Sequence, residues 1–305
     1  MSRLNSGRRT LLKQLAALSA LTPLTTLGQT VQTRQAETEP VAKGTTQQLK
    51  GNINHAVSRW TYGDLSLEEL CLTVKSLGFN AIDLVGPDDW PILKKHGIDC
   101  SMCNGAELNL EDGWSDSRFH AELIPRYLKH IELVAKAGYK NLICFTGNAR
   151  GMSREQALEN AVAGLSKILP AAEQHGVVIQ LELFNSKVDH PDYIADNTPW
   201  SIALCQRLNS PNFKLLYDIY HMQIMEGDII RTIQEQHQYF GHYHTAGVPG
   251  RHEIDATQEL NYAAIAKAIK ATGFRGYLAQ EFIPTPDTKA GRVASLAQAI
   301  QICDV

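Results

Sequence analysis

The 305-residue chain has no basic excess, no disulfide framework, no glycine-rich nucleotide fingerprint and no long apolar run past its N-terminal region. Each absence removes a class of function. The net charge is −3 and the pI about 6.4, whereas proteins that grip phosphate backbones carry basic patches, so no nucleic-acid partner is expected. A membrane span needs about 20 apolar residues; none lies beyond the N-terminal region, so no integral span is expected in the mature chain. The six cysteines include one C-x-x-C, Cys100 to Cys103, with no second pair and no nearby histidine. Set in an apolar stretch, these read as small buried hydrophobes rather than zinc or redox ligands. No G-x-G-x-x-G follows the first predicted strand, which argues against an open doubly wound dinucleotide fold.

The N-terminal region reads as a targeting segment. Arg8 and Arg9 precede a polar residue, two leucines and Lys13, and then an apolar stretch diluted by Ala and Thr. A charged region followed by a short apolar one is an export signal, here of the twin-arginine type, over residues 1–28. Residues 29–50, rich in Gln, Thr and Glu, read as a disordered linker. The catalytic domain is then 51–305. Twin-arginine export carries folded proteins, so a periplasmic destination with the cofactor already loaded is expected, and the thiols stay reduced during folding.

From residue 51 short apolar runs alternate with longer helical patterns. Strands are predicted over 52–57, 80–85, 98–103, 140–146, 177–183, 213–218, 239–244 and 276–282, and helices over stretches such as 66–77, 117–137, 153–174 and 261–271. Gly78, Gly138, Gly176 and Gly273 stand where helices end, the usual place for a C-terminal glycine. Eight strand-helix alternations predict an α/β fold, a single (β/α)8 TIM barrel, whose active groups sit at the C-terminal ends of the strands.

At those ends stand Glu182, Asp218, His244 and Glu281, on four consecutive strands about one βα unit apart. In a closed barrel they converge on one mouth. Three carboxylates brought together repel, and some must protonate unless a cation joins them. Three carboxylates and an imidazole suit one hard divalent ion, Mn²⁺ or Mg²⁺ ahead of Co²⁺ or Zn²⁺. In the segment HYHTAGVPGRHEID (242–255), period-two alternation turns both His242 and His244 inward, with His244 at the mouth and His242 a layer deeper.

The segments ELFN (182–185), SPNFKLLYDIYHMQIMEGDIIRTI (210–233) and GHYHTAGVPGRHEID (241–255), with the NY at 261–262, resemble the xylose-isomerase-like TIM barrels, and among them the hydroxypyruvate isomerase family. The resemblance covers roughly residues 51–300. It implies that Glu182 and Glu281 act as the acid-base pair while binding the metal, that Asp218 is a metal ligand, and that His221 and Arg251 contact the substrate. One departure is His244, where hydroxypyruvate isomerases favour Gln and ketose 3-epimerases have His. The first-half sequences NINHAVSRW and CNGAE depart too, which leaves the substrate open between a small sugar and a hydroxy-keto acid.

The expected chemistry is proton transfer beside a carbonyl through an enediolate. It gives aldose-ketose isomerisation when the proton returns to the neighbouring carbon, and epimerisation when it returns to the same carbon on the other face. His55, placed at the mouth by strand period, and Glu107 and Lys187, on mouth-side loops, are further substrate-binding candidates. Trp60, Trp114 and Phe184 are candidate pocket walls. A non-catalytic sugar-binding barrel and an endonuclease IV-like enzyme are the competing classes. The second would need more metal ligands and a basic groove. Nothing in the composition opposes a homo-oligomer.

Overall fold

The computed structural model describes residues 48–305. The expected export signal and most of the expected linker lie outside the described residues. Residues 48–50, assigned to the linker by composition, belong instead to the base of the barrel. The Lys50 N–H donates to both carboxylate oxygens of Asp304 at 3.1 Å, and the Asn52 amide donates to the Val305 carbonyl at 2.8 Å.

Eight parallel strands close into a barrel in sequential order. They are β1 (Asn54–Ser58), β2 (Ala81–Val85), β3 (Asp99–Cys103), β4 (Asn141–Cys144), β5 (Val178–Glu182), β6 (Phe213–Asp218), β7 (Phe240–Thr245) and β8 (Tyr277–Gln280). The helices are α1 (Leu67–Ser76), α2 (Trp90–His96), α3 (His120–Ala137), α4 (Arg154–Leu165), α5 (Leu169–His175), α6 (Thr198–Leu208), α7 (Ile219–Met225), α8 (Ile229–Gln236), α9 (Tyr262–Ala271) and α10 (Lys289–Cys303). Each predicted strand is present within a residue or two of its expected ends.

Local signals explain the helix limits. A reciprocal capping box starts α1, with Ser66 and Glu69 each accepting the other's backbone N–H. Gly138 and Gly176 close α3 and α5 in left-handed conformation. The helix expected over 153–174 is two helices. Pro170, in the first turn of α5, has no N–H to give the Ser166 carbonyl, so α4 cannot run on through it and the chain restarts at Leu169.

The strand pleat decides which residues see the barrel interior. The inward series includes Ala56 and Ser58 on β1, Ala81 and Asp83 on β2, Gln180 and Glu182 on β5, His242 and His244 on β7. Ala56, Ala81 and Ala279 pack together as a small central layer, and Ser58 reaches Glu281. His55 is therefore out of phase, and its expected place at the mouth is corrected. It faces outward at the barrel base, 3% exposed, 4.0 Å from Asp304 and edge-on to Phe79. Burial there lowers its pKa to about 4, with Asp304 opposing. All six cysteines are buried and unpaired, with the Cys100 and Cys103 sulfurs 3.5 Å apart in the core as expected.

The segment 104–116 after β3 has no regular structure, yet it is strapped to the end of β4. Trp114 and Ser115 donate backbone N–H groups to the carbonyls of Phe145 and Thr146, at 3.1 and 2.9 Å, and Asn148 donates to Glu111 at 2.9 Å. Glycine makes this close approach feasible. A Cβ on Gly113 would sit 2.4 Å from the Phe145 carbonyl oxygen. Gly113→Ala should therefore force the strap off β4 and destabilise by about 1–3 kcal/mol, read as a lower melting temperature. Gly63→Ala, whose Cβ meets nothing closer than 3.6 Å, should stay near wild type. Equal melting temperatures for the two variants would contradict the strap.

Candidate active site

Four strand ends bring the acids together. Glu182 ends β5, Asp218 ends β6, His244 is next to last on β7, and Glu281 follows β8 directly. Asp218 pairs in register with His244, and His244 with Ala279, so parallel pairing holds the groups at one level. One ligand atom from each of the four lies within 4.8 Å of the others, and all four residues are buried. His244 Nδ1 is 2.9 Å from Glu182 Oε1, 2.9 Å from Glu281 Oε2 and 3.9 Å from Asp218 Oδ2.

The cluster holds more negative charge than its two cations, His244 and Arg251, can cancel. Burial pushes Glu182 up to about 8, helped by repulsion from Glu281 and Asp218 against the pull of His244. Burial likewise pushes Asp218 up to about 6, with Arg251 opposing. For Glu281 burial also acts upward, but His244, Arg251 and the Trp60 N–H outweigh it and hold the carboxyl well below the usual range. Burial alone would make His244 neutral; Glu281 and Glu182 keep it protonated well above its ordinary value. A hard divalent cation suits this donor set and would relieve the repulsion.

Arg251 reaches the cluster from the loop after β7. Its Nη2 is 2.6 Å from Glu281 Oε2 and 3.7 Å from Asp218 Oδ2, and its guanidinium lies over the Trp60 and Tyr220 rings at 5.2 and 5.4 Å. The residue is in the left-handed region, φ +60°. Its backbone is tied on both sides, with N–H to Gly247 and carbonyl from Ile283, at 2.9 and 2.7 Å. A non-glycine residue held in this region marks local strain sustained by its surroundings, and such residues gather at functional sites. Arg251 does not pair with nearby Glu253, which accepts from Thr285 and Ser295.

His221 lies on α7, where Asp218 caps its backbone N–H at 3.1 Å. The Asn185 backbone N–H donates to its Nδ1 at 3.1 Å, which puts the ring proton on Nε2. Nε2 has no hydrogen-bond partner and stands 3.6 Å from Asp218 Oδ2. Burial, with Arg251 and His190 adding, keeps the ring well below its ordinary pKa, so it is a neutral donor with a free N–H.

A cavity of about 480 Å³ opens beside the acids, and its lining includes Glu182, Glu281, Arg251, Trp60, Phe184 and Glu107. Asp218 and His244 do not line it. Three sequence-based expectations fail here. Lys187 donates its ammonium to the carbonyls of Ile224 and Met225, both at 3.0 Å. It thus caps the C-terminus of α7 and does not line the cavity. Trp114 is fully buried against Tyr127 and His120, a core residue and not a pocket wall. His55 is at the opposite end.

One residue was missed. Asp83, fully buried on β2, accepts from His244 Nε2 at 2.8 Å and from the Ser101 hydroxyl at 2.6 Å, and its Oδ1 stands 3.0 Å from His242 Nε2 as an ion-pair contact. Burial acts to raise its pKa, but the two histidines hold it well below the carboxylate range. Its contact with Nε2 leaves His244 Nδ1 turned to the three other acids. The available signal was an aspartate inside an otherwise apolar strand, AIDLV, in phase with Ala81.

Residues 73–300 match the family of xylose isomerase-like TIM barrels. The chain is 34% identical over 142 residues to the 2-oxo-tetronate isomerase of Cupriavidus necator, a match covering 47% of this chain and about half, 52%, of that protein. It is 28% identical over 225 residues to the hydroxypyruvate isomerase of Escherichia coli, covering 70% of this chain and 86% of that one. A Brucella melitensis structure described as an AP endonuclease of family 2 superposes with a TM-score of 0.71 at 23% identity, over 78% of this chain and 96% of that one. At that identity the likeness is one of fold.

Two outcomes are expected for metal binding. Asp83→Asn should weaken Mn²⁺ affinity about 10–100-fold, measured by chelator competition, with the melting temperature of the metal-free protein little changed. Unchanged affinity would remove the orienting role of Asp83. Because a cation must displace protons from Glu182, Asp218 and His244, affinity should fall steadily as pH drops from about 8 to about 6. A flat profile across that window would contradict the charge assignment.

Proposed function

The chain belongs to the xylose isomerase-like TIM barrel family, and from that premise we propose that it is a divalent-metal-dependent isomerase acting on a sugar or hydroxy-keto acid through an enediolate. The observation that carries this reading is the division of the four clustered groups. Only Glu182 and Glu281 line the cavity, while Asp218 and His244 lie behind them. Binding a cation needs all four; a pair of carboxylates that also faces the substrate space is what proton transfer needs. The curated relatives named as isomerases support the same chemistry.

Glu182, Asp218, His244 through Nδ1, and Glu281 would hold the ion. When bound it polarises the substrate carbonyl and stabilises the enediolate. Glu281 is positioned as the base. Its Oε1 accepts from the Trp60 indole at 2.8 Å, so the carboxylate is fixed and kept ionised. Glu182, the second carboxyl that faces the cavity, is the partner through which the proton returns on the other face of the substrate. The guanidinium of Arg251, in the cavity lining, supplies a donor for substrate oxygens, while His221, fully buried and outside that lining, stands behind the cluster with its Nε2 3.6 Å from Asp218. Return of the proton to the same carbon would make the reaction an epimerisation, and the same residues serve both outcomes. The twin-arginine-type segment supports a further proposal, that the enzyme works outside the cytoplasm.

With Mn²⁺ present, the protein should incorporate solvent deuterium into hydroxypyruvate or a ketose. Glu281→Gln should lower that exchange about 10²–10⁴-fold while the protein still folds and takes up metal. Near-wild-type exchange in this variant, with its metal content verified, would contradict the acid-base assignment.

A further inference from the structure

The cavity wall formed by segment 104–110 has a composition that the proton-transfer chemistry does not explain. At about 30 Å³ per water-sized unit, a cavity of about 480 Å³ has room for on the order of 16 such units. A three-carbon keto acid would fill well under half of it. Of the large apolar side chains exposed among the described residues, Trp60 and Leu110, 46% and 39% exposed, both line this cavity. Phe145 and Phe184 stack in its wall at 5.5 Å. Leu84 joins them from a left-handed position, φ +56°, at a register irregularity in β2.

The polar part of the wall is Asn104, Glu107 and Asn109. The Asn109 side chain is used within its own turn, by Glu111, Asp112 and their neighbourhood. The Asn104 amide has no hydrogen-bond partner among the described residues. Glu107 commits one oxygen, Oε2, to the Gly105 N–H at 2.8 Å and leaves the other available.

Among the described residues no Lys or Arg stands free beside segment 104–110. Arg251, the single Lys or Arg in the lining, is at the acid cluster, paired there with Glu281, and serves the reacting end of the substrate. Arg126 behind the wall is used by the carbonyls of Ala106 and Glu107, and Lys187 caps α7. His190 in the lining is held neutral, chiefly by burial. A second carboxylate entering beside Glu107 would meet like charge with no partner, whereas a hydroxyl would find an acceptor in Glu107 and both acceptor and donor in Asn104. Flat aromatic and apolar faces beside a carboxylate and an amide fit the C–H and O–H surfaces of a sugar.

We propose that the substrate is an uncharged keto-sugar of hexose size or larger, its non-reacting hydroxyls bound by Glu107 and Asn104 against the Trp60 and Leu110 side chains, and not a short keto acid. The assignment rests on the isomerase reading of the same site and names its substrate class. Glu107 and Asn104 are then specificity residues for the part of the substrate away from the reacting carbons.

Binding and turnover are to be measured separately on the Mn²⁺-loaded protein. Calorimetry with D-fructose, methyl 3-keto-glucoside and hydroxypyruvate should show a neutral sugar binding at least tenfold tighter than hydroxypyruvate. Glu107→Lys should reverse that order by weakening the sugar and strengthening the keto acid, each about tenfold; Glu107→Gln should weaken the sugar alone. Hydroxypyruvate binding as tightly as either sugar, no binding by any probe, or indifference of both variants would overturn the assignment. A sugar that binds as expected but exchanges no deuterium would leave the substrate class standing and overturn the isomerase reading instead.

Discussion

Three carboxylates forced into one buried pocket are the constraint around which the rest of the molecule is arranged. Glu182, Asp218 and Glu281 arrive there because parallel strand pairing in a closed barrel sets their level, and the pleat turns each of them inward. Their mutual repulsion is met in three ways. Glu182 is biased toward its protonated form, His244 toward its charged form, and Arg251 is brought in from the loop after β7 at the expense of a left-handed backbone. A divalent cation would relieve what repulsion remains.

Behind the carboxylates a second set of contacts gives the cluster its orientation. Asp83 fixes His244 through Nε2 and is itself fixed by His242 and Ser101. Trp60 and Ser58 hold the far oxygen of Glu281. In front, the strap of segment 104–116 onto β4 shapes the space that a substrate would enter. The clustered acids and His244 therefore come from β5 to β8, and the cavity wall that faces them comes largely from the first half of the chain. The segments that resemble hydroxypyruvate isomerases, 182–185, 210–233 and 241–255, lie in the half that carries the acid cluster.

Much of this was legible in the sequence. The eight strand-helix alternations, the convergence of the four strand-end residues and the shared face of His242 and His244 follow from period and spacing, because a closed barrel converts strand order into proximity. The failures have physical causes. Period two shows that alternate residues share a face but not which face is inside, so His55 was placed at the mouth when Ala56 and Ser58 hold that side. Lys187 sits on a mouth-side loop, yet a helix C-terminus nearby offers its ammonium better partners than the cavity does. Trp114 was placed by loop position alone, and the strap on β4 buries it. Asp83 was passed over because its partner lies 161 residues away. A lone aspartate in an apolar strand gives no indication of which histidine it meets.

The central claim is that Glu182, Asp218, His244 and Glu281 together hold one divalent cation, with His244 turned to it through Nδ1 by Asp83. Anomalous diffraction from crystals soaked with Mn²⁺ tests this directly. The account predicts one strong peak at about 2.0–2.3 Å from a carboxylate oxygen of each acid and from His244 Nδ1, with Asp83 still bonded to Nε2. A peak on the Nε2 side between Asp83, His242 and His244, or none at the barrel mouth, would contradict it.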